Sequence, residues 1–234
     1  MRAVLLAAGL GTRLAASTGD RPKILVDVGG RPLLDRQLHY LAAAGVAEVV
    51  VNLHHQAELV RSYLASRRWP VVVRTSHEPE LLGTAGALLP VRELLDARFV
   101  VLYGDVLTDV PLPAVVEHHL AAGAVATICC HRPETVVGKG IVKLDGGDRV
   151  TGFVEKPREA TPGGWVNAGL YVLEPAVVAA VPEGPADFGY DVLPGLVASG
   201  ALVMGYRHDG MVLDVGTPAA LGRARALARD GSLR

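Results

Sequence analysis

Apolar runs at 4–6, 46–53 and 70–75 alternate with two stretches of helical period, and this alternation limits the fold more than any other feature of the chain. Leu34, Leu38 and Leu41 recur at helical spacing between the first two runs, with Pro32 near the start and Gly45 placed to stop the helix. A second helix is expected at 56–66, and the β-branched runs on either side of it predict strands. Strands separated by helices of this length pair in parallel through right-handed crossovers. Their ligands are expected beyond the carboxyl ends of the strands.

Further along, a glycine-containing turn, Gly83-Thr84-Ala85-Gly86, leads into a short helix, and 98–103 predicts a buried strand ending at Gly104-Asp105. A strand at 125–130 and a hairpin of 141–144 with 150–154 about Asp145-Gly146-Gly147-Asp148 come next. A Pro/Gly loop (TPGG, 161–164), a strand at 165–173, helices from Pro175 and from Asp187, and strands at 201–206 and 211–213 complete the pattern. Thr217 as N-cap with Pro218 in the first helical position starts a last helix that runs to about Arg229. No repeat, low-complexity tract or long linker divides the 234 residues, so one domain, 1–234, is expected.

The formal net charge of -1 argues against a general nucleic-acid binder, so any anion site must be local. Cys129 and Cys130 are adjacent at the end of an apolar run and read as strand residues, not as a disulfide or zinc site, which suits a reducing compartment. No apolar run reaches about 18 residues and no charged segment precedes the first strand; a cytoplasmic protein without a membrane partner is expected.

Gly9 and Gly11 open a loop directly after the apolar run Val4, Leu5 and Leu6, and Arg13 and Lys23 follow. A glycine loop whose backbone can approach phosphates, with two cations beside it, suits a polyphosphate. Asp105, at the end of a buried strand, is costly without a metal or a cation, although an Asx-type turn is the plain alternative. The histidine pairs His54-His55 and His118-His119 lack metal-ligand spacing and read as surface or helix-start residues. Trp165 fits a pocket wall or core packing equally, and Arg223, Arg225 and Arg229 read as the solvated face and charged end of the last helix.

LAAGLGTRL with RPK, then LGTAGAL, YGD, GFVEKP, VNAGLYVL and LDVGTP occur in an order and spacing that resembles the sugar-1-phosphate nucleotidyltransferases over nearly the whole chain. The loop is neither a Walker A, which needs Lys and Ser/Thr after its last glycine, nor a dinucleotide fingerprint, whose third glycine is replaced by Leu14. The resemblance implies a Rossmann-like three-layer α/β/α sandwich with a mixed, mostly parallel central sheet. Residues 1–130 would mainly serve the nucleotide and 131–234 the sugar phosphate.

By the same resemblance, Leu6, Ala8, Gly9, Gly11 and Thr12 would wrap a nucleoside triphosphate, with Arg13 on its β/γ phosphates and Lys23 near the reacting phosphates. Glu80, Gly83 and Thr84 would lie at the base and ribose. Asp105 would bind Mg²⁺, with Asp214 as a second carboxylate from the other side of the cleft. Gly140, Glu155, Lys156 and Asn167 would hold the sugar and its phosphate. The motifs are most similar to guanylyltransferases that activate mannose or heptose 1-phosphates, which favours GTP; thymidylyl-, uridylyl- and cytidylyltransferases are the alternatives. Self-association as a homo-oligomer stays open.

The chain departs from the family pattern at Ile24, where proline often follows the motif lysine, and at Lys139, where an aromatic residue often precedes the sugar-site glycine; Lys139 reads as solvated. Other classes fit less well. A glycosyltransferase would show Asp-x-Asp where Asp105-Val106-Leu107 stands, and a non-catalytic regulatory relative would have lost Arg13, Lys23 or a carboxylate.

Overall fold

The computed structural model describes residues 1–14, 19, 21–133, 135–156 and 164–233. Asp20, Pro157 and the first three residues of the TPGG loop lie outside the described residues. In chain order the first elements are β1 (Arg2–Leu6), a short hairpin of β2 (Asp27–Val28) and β3 (Arg31–Pro32), α1 (Leu33–Ala43), β4 (Glu48–Leu53), α2 (Ala57–Ala65) and β5 (Val72–His77). After these come α3 (Gly83–Gly86), β6 (Phe99–Tyr103), β7 (Val106–Thr108), α4 (Leu112–Ala122) and β8 (Ala126–His131). Then follow β9 (Ile141–Leu144), β10 (Val150–Val154), β11 (Trp165–Leu173), α5 (Ala176–Ala179), α6 (Leu193–Ala198), β12 (Val203–His208), β13 (Val212–Asp214) and α7 (Pro218–Arg229).

Two compact units are built from these elements. A terminal unit collects Arg2–Leu81, Leu102–Asp109 and Met211–Arg234; a middle unit holds Leu82–Val101 and Val110–Gly210. In the terminal unit β1, β4 and β5 are parallel, with Arg2 opposite Glu48 and Glu48 opposite Val72. Val49 to Leu53 of β4 are all buried, as expected for a strand flanked on both sides. Leu34, Leu38 and Leu41 of α1 are fully buried, and Gly45, at φ 81°, ends the helix in the left-handed conformation that glycine tolerates. Thr217 Oγ1 accepts from Ala220 N at 3.2 Å, the cap expected of α7.

The middle unit is built on β11, a nine-residue strand antiparallel to β8 and to β9. The β9–β10 hairpin has the expected bounds; Asp145 Oδ1 accepts from Gly147 N and Arg149 N, both at 2.9 Å, which closes its turn. β12 runs parallel to β8, so the sheet is mixed within a Rossmann-like α/β fold. Cys129 and Cys130 are buried strand residues, and burial pushes both thiols up. Among the described residues no helix is long and apolar enough to cross a membrane.

Candidate active site

In the terminal unit the glycine loop leaves β1 under tight control. Ala7 N donates to Asn52 Oδ1 at 2.5 Å, and Asn52 Nδ2 donates to Glu78 Oε1 at 2.6 Å; both side chains are buried. A β4 side chain thereby fixes where the loop begins. Gly11 is at φ 64°, and a Cβ on it would lie 3.2 Å from Lys23 Cβ, so glycine serves both the backbone and the close packing on Lys23. Leu14 N returns to Gly11 O at 2.9 Å and its side chain is buried, which leaves Gly9, Thr12 and Arg13 exposed beside this anchor.

Asp105 is set by its neighbour. A Cβ on Gly104 would lie 2.7 Å from Leu6 O and 2.8 Å from Ile24 Cδ1, so only glycine lets the chain after β6 stay this close to β1; Gly104 N donates to Leu6 O at 2.8 Å. Ile24 and Leu25 are buried and anchor a 3₁₀ turn that begins at Lys23. Lys23 Nζ then donates to Asp105 Oδ2 at 2.5 Å.

Asp214 does not come from an opposite side. β13 pairs antiparallel with β7, with Asp214 opposite Val106, and Val215 N donates to Asp105 O at 2.8 Å. This long-range ribbon brings both carboxylates to one end of the terminal unit. Gly216 lies beside Asp214: a Cβ there would be 2.7 Å from Asp214 Oδ1, 3.1 Å from Arg13 Nη2 and 3.4 Å from Lys23 Nζ. Arg13, Lys23 and Asp214 therefore meet over one glycine, and Asp105 joins them through Lys23. Glu80, expected at the base, is an exposed residue of this same unit.

The middle unit holds the remaining residues. Gly83, at φ 77°, packs on Ala186 O, and Ala85 N and Gly86 N donate to that carbonyl at 2.9 and 3.0 Å. Thr84 Oγ1 donates to Asp187 Oδ1 at 2.9 Å and accepts from Phe188 N at 2.9 Å. Asn167 N donates to Gly140 O at 2.9 Å, and Asn167 Nδ2 donates to the Tyr171 hydroxyl at 2.5 Å. Glu155 is half-buried and its carboxyl is pushed up, chiefly by burial; Lys156 Nζ, 3.7 Å away, opposes the shift, and the nearby Asp187 charge adds to it. Lys156 itself is exposed, with φ at 42°.

Other residues depart from or add to what was expected of them. His119 is a buried residue of α4 rather than a surface one: Nδ1 meets Thr127 Oγ1 at 2.8 Å and Nε2 meets Glu174 Oε1 at 3.2 Å, and burial pushes its pKa down. Trp165 stacks with the Arg132 guanidinium at 4.3 Å and Arg207 at 5.6 Å, so it is held from the surface side. Arg225 is not simply solvated, since its Nε donates to Asp27 O at 3.1 Å and ties α7 to β2. The half-buried Lys139 is close enough to His131 to lower the histidine's pKa.

Residues 2–231 match the family model described as nucleotidyl transferase. The chain belongs to the nucleotidyl transferase family. Among its relatives, mannose-1-phosphate guanyltransferase of Emericella nidulans is 35% identical over 225 residues, 93% of this chain and 61% of that protein. The protein of the same name from Yarrowia lipolytica is 36% identical over 224 residues, again 93% of this chain and 61% of the relative. This chain thus spans about three-fifths of the length of these relatives. HddC from Yersinia pseudotuberculosis has the same fold, with a TM-score of 0.83 at 28% identity, covering 96% of this chain and 98% of HddC. HddC has also been solved complexed with GMP-PN, at the same TM-score and coverage.

Proposed function

We propose that this protein transfers a nucleotidyl group from a nucleoside triphosphate to a sugar 1-phosphate, releasing pyrophosphate. The observation that carries this reading is the meeting of Arg13, Lys23 and Asp214 over Gly216, with Lys23 paired to Asp105. Such a cluster suits two mutually repelling phosphate reactants. A sugar-phosphate oxygen attacks the α-phosphorus, the bond from that phosphorus to the bridging oxygen breaks, and pyrophosphate leaves with the electron pair. A phosphate monoester is already anionic near neutral pH, so no general base is assigned. Alignment of the two reactants supplies about 7–11 kcal/mol where the geometry is good.

In this reading Arg13 holds the departing pyrophosphate, and Lys23 neutralises charge at the reacting phosphates. The donor set suits Mg²⁺: Asp105 and Asp214, brought to one ribbon by the pairing of β13 with β7, are the hard oxygen ligands that this ion combines with substrate phosphates. Asp105 and Asp214 would hold it, and when bound it supplies Lewis-acid stabilisation of the phosphates. Gly140, Glu155, Lys156 and Asn167 are assigned to the sugar phosphate, and Gly83 and Thr84 to shaping the nucleoside end. The guanyltransferase relatives and the GMP-PN complex of HddC favour GTP with a mannose- or heptose-type 1-phosphate.

The test crosses four NTPs with a panel of sugar 1-phosphates in MgCl₂ and measures pyrophosphate. Release with GTP and a mannose- or heptose-type 1-phosphate above all other pairs is expected. Release confined to another NTP would overturn the base assignment, and no release from any pair would overturn the activity.

A further inference from the structure

Every residue of the four-residue segment 186–189 contacts a residue assigned above to substrate handling, or the turn that carries one. Ala186 O accepts from Ala85 N and Gly86 N, and Ala186 N donates to Leu82 O at 2.8 Å, so the backbone of the Gly83-Thr84 turn is strapped to it from both sides. Asp187 Oδ1 accepts from Thr84 N at 3.1 Å and from Thr84 Oγ1 at 2.9 Å. Asp187 N is in turn held by Asp191 Oδ2 at 2.7 Å, which fixes the carboxylate's own backbone. The Phe188 ring stacks on Tyr171 with centroids 4.9 Å apart, and the Tyr171 hydroxyl accepts from Asn167 Nδ2.

Gly189 completes the segment, and its lack of a side chain is what matters. A Cβ on Gly189 would run into the Glu155 carboxylate, with Cδ 2.8 Å and Cγ 3.2 Å away; a Cβ on Gly140 would lie 2.5 Å from the same Glu155 Oε2. The Glu155 carboxylate therefore sits in a slot between two glycines from distant parts of the chain. Gly189 does not need glycine for its backbone, since it is not among the residues with positive φ. Space for Glu155 is the remaining physical reason for glycine there.

We propose that 186–189 is a positioning segment of the transferase: Gly189 sets the Glu155 carboxylate that orients the sugar phosphate, and Asp187 locks the Gly83-Thr84 turn at the nucleoside end. This rests on the functional reading above. A carboxylate lodged between backbone atoms loses little entropy on meeting sugar hydroxyls, and a displaced one would recognise the sugar poorly while the triphosphate is still bound by other residues. Asp187 uses only acceptor oxygens on Thr84, so asparagine can replace it through its carbonyl oxygen and alanine cannot.

The experiment measures kcat and both KM values with GTP, mannose 1-phosphate and MgCl₂ for wild type, Gly189→Ala, Asp187→Ala and Asp187→Asn, with circular dichroism as the check on folding. Gly189→Ala is expected to raise the KM for mannose 1-phosphate at least tenfold and to leave the KM for GTP within twofold. Asp187→Ala is expected to raise the KM for GTP, with Asp187→Asn restoring it to within threefold of wild type. Folded Gly189→Ala with an unchanged mannose 1-phosphate KM, equal loss at both substrates, or no rescue by Asp187→Asn would overturn the proposal. Should Gly189→Ala not fold, Asp187→Ala against Asp187→Asn decides it alone. Wild type inactive across the sugar 1-phosphate panel would overturn the functional reading and this assignment with it, whereas active wild type with indifferent variants overturns this assignment only.

Discussion

Lys23 Nζ donates to Asp105 Oδ2 at 2.5 Å, a charge-assisted pair between residues 82 apart in sequence. Both side chains keep partial access to solvent, 13% for Lys23 and 30% for Asp105, so the pair is worth less to stability than a fully buried one. Lys23→Ala is expected to lower kcat by about 10²–10³, the usual loss when one transition-state donor is removed, while the melting temperature falls by only a few degrees. Turnover and melting curves on the same preparation check this.

Gly216→Ala isolates the space over which the charges meet. The nearest atom to its Cβ is the tip of an exposed aspartate, which can swing aside, so the stability cost is expected to stay below about 1 kcal/mol. Displacing Asp214 and crowding Arg13 and Lys23 is expected to lower kcat at least tenfold. Urea denaturation against steady-state kinetics separates the two effects.

Asn52→Leu removes the buried acceptor of Ala7 N and the donor to Glu78. The expected destabilisation is at least about 2 kcal/mol, because buried polar groups then lose their partners. A rise in the KM for the nucleoside triphosphate should accompany it, since the start of the glycine loop is no longer tied to β4. Asn52→Asp keeps the acceptor for Ala7 but sets a second carboxylate against Glu78, and is expected to be less stable than wild type.

His131 is pushed down to about 4, first by burial and then by the positive charges of Lys139 and His208. A histidine whose pKa is lowered by folding contributes stability above the ordinary value of 6.5 that is lost as pH falls from there towards 4. Wild type is therefore expected to lose melting temperature between pH 6.5 and 4 more steeply than His131→Gln, with the two curves parallel above pH 7. Scanning calorimetry across that range tests it.

Much of the fold was legible because it is locally encoded. The hairpin of β9 and β10, the bounds of β11 and the Thr217 cap of α7 each follow from a few adjacent residues. Long-range pairing was not legible. Asp214 joins Asp105 only because β13 pairs with β7, and Gly189 meets Glu155 only through tertiary packing. His119 could have been found: it falls on the buried stripe of α4 with Leu112 and Val115, four residues beyond Val115 and seven beyond Leu112. Adjacent histidines conceal this, since only one of the two lies on the stripe. Arg225 was hidden for the opposite reason, because a cation near a helix end looks solvated until its carbonyl partner, Asp27 O, is known.

In the proposed reaction the cluster over Gly216 couples breakdown of the triphosphate to capture of the sugar phosphate. The most direct test of this coupling is the stoichiometry of pyrophosphate and nucleotide-sugar formed from GTP, mannose 1-phosphate and MgCl₂ by wild type and by Lys23→Ala. Equimolar products that require both substrates, and that fall at least a hundredfold with Lys23→Ala, are the predicted result. Pyrophosphate released without nucleotide-sugar, or equal rates from wild type and Lys23→Ala, would contradict it.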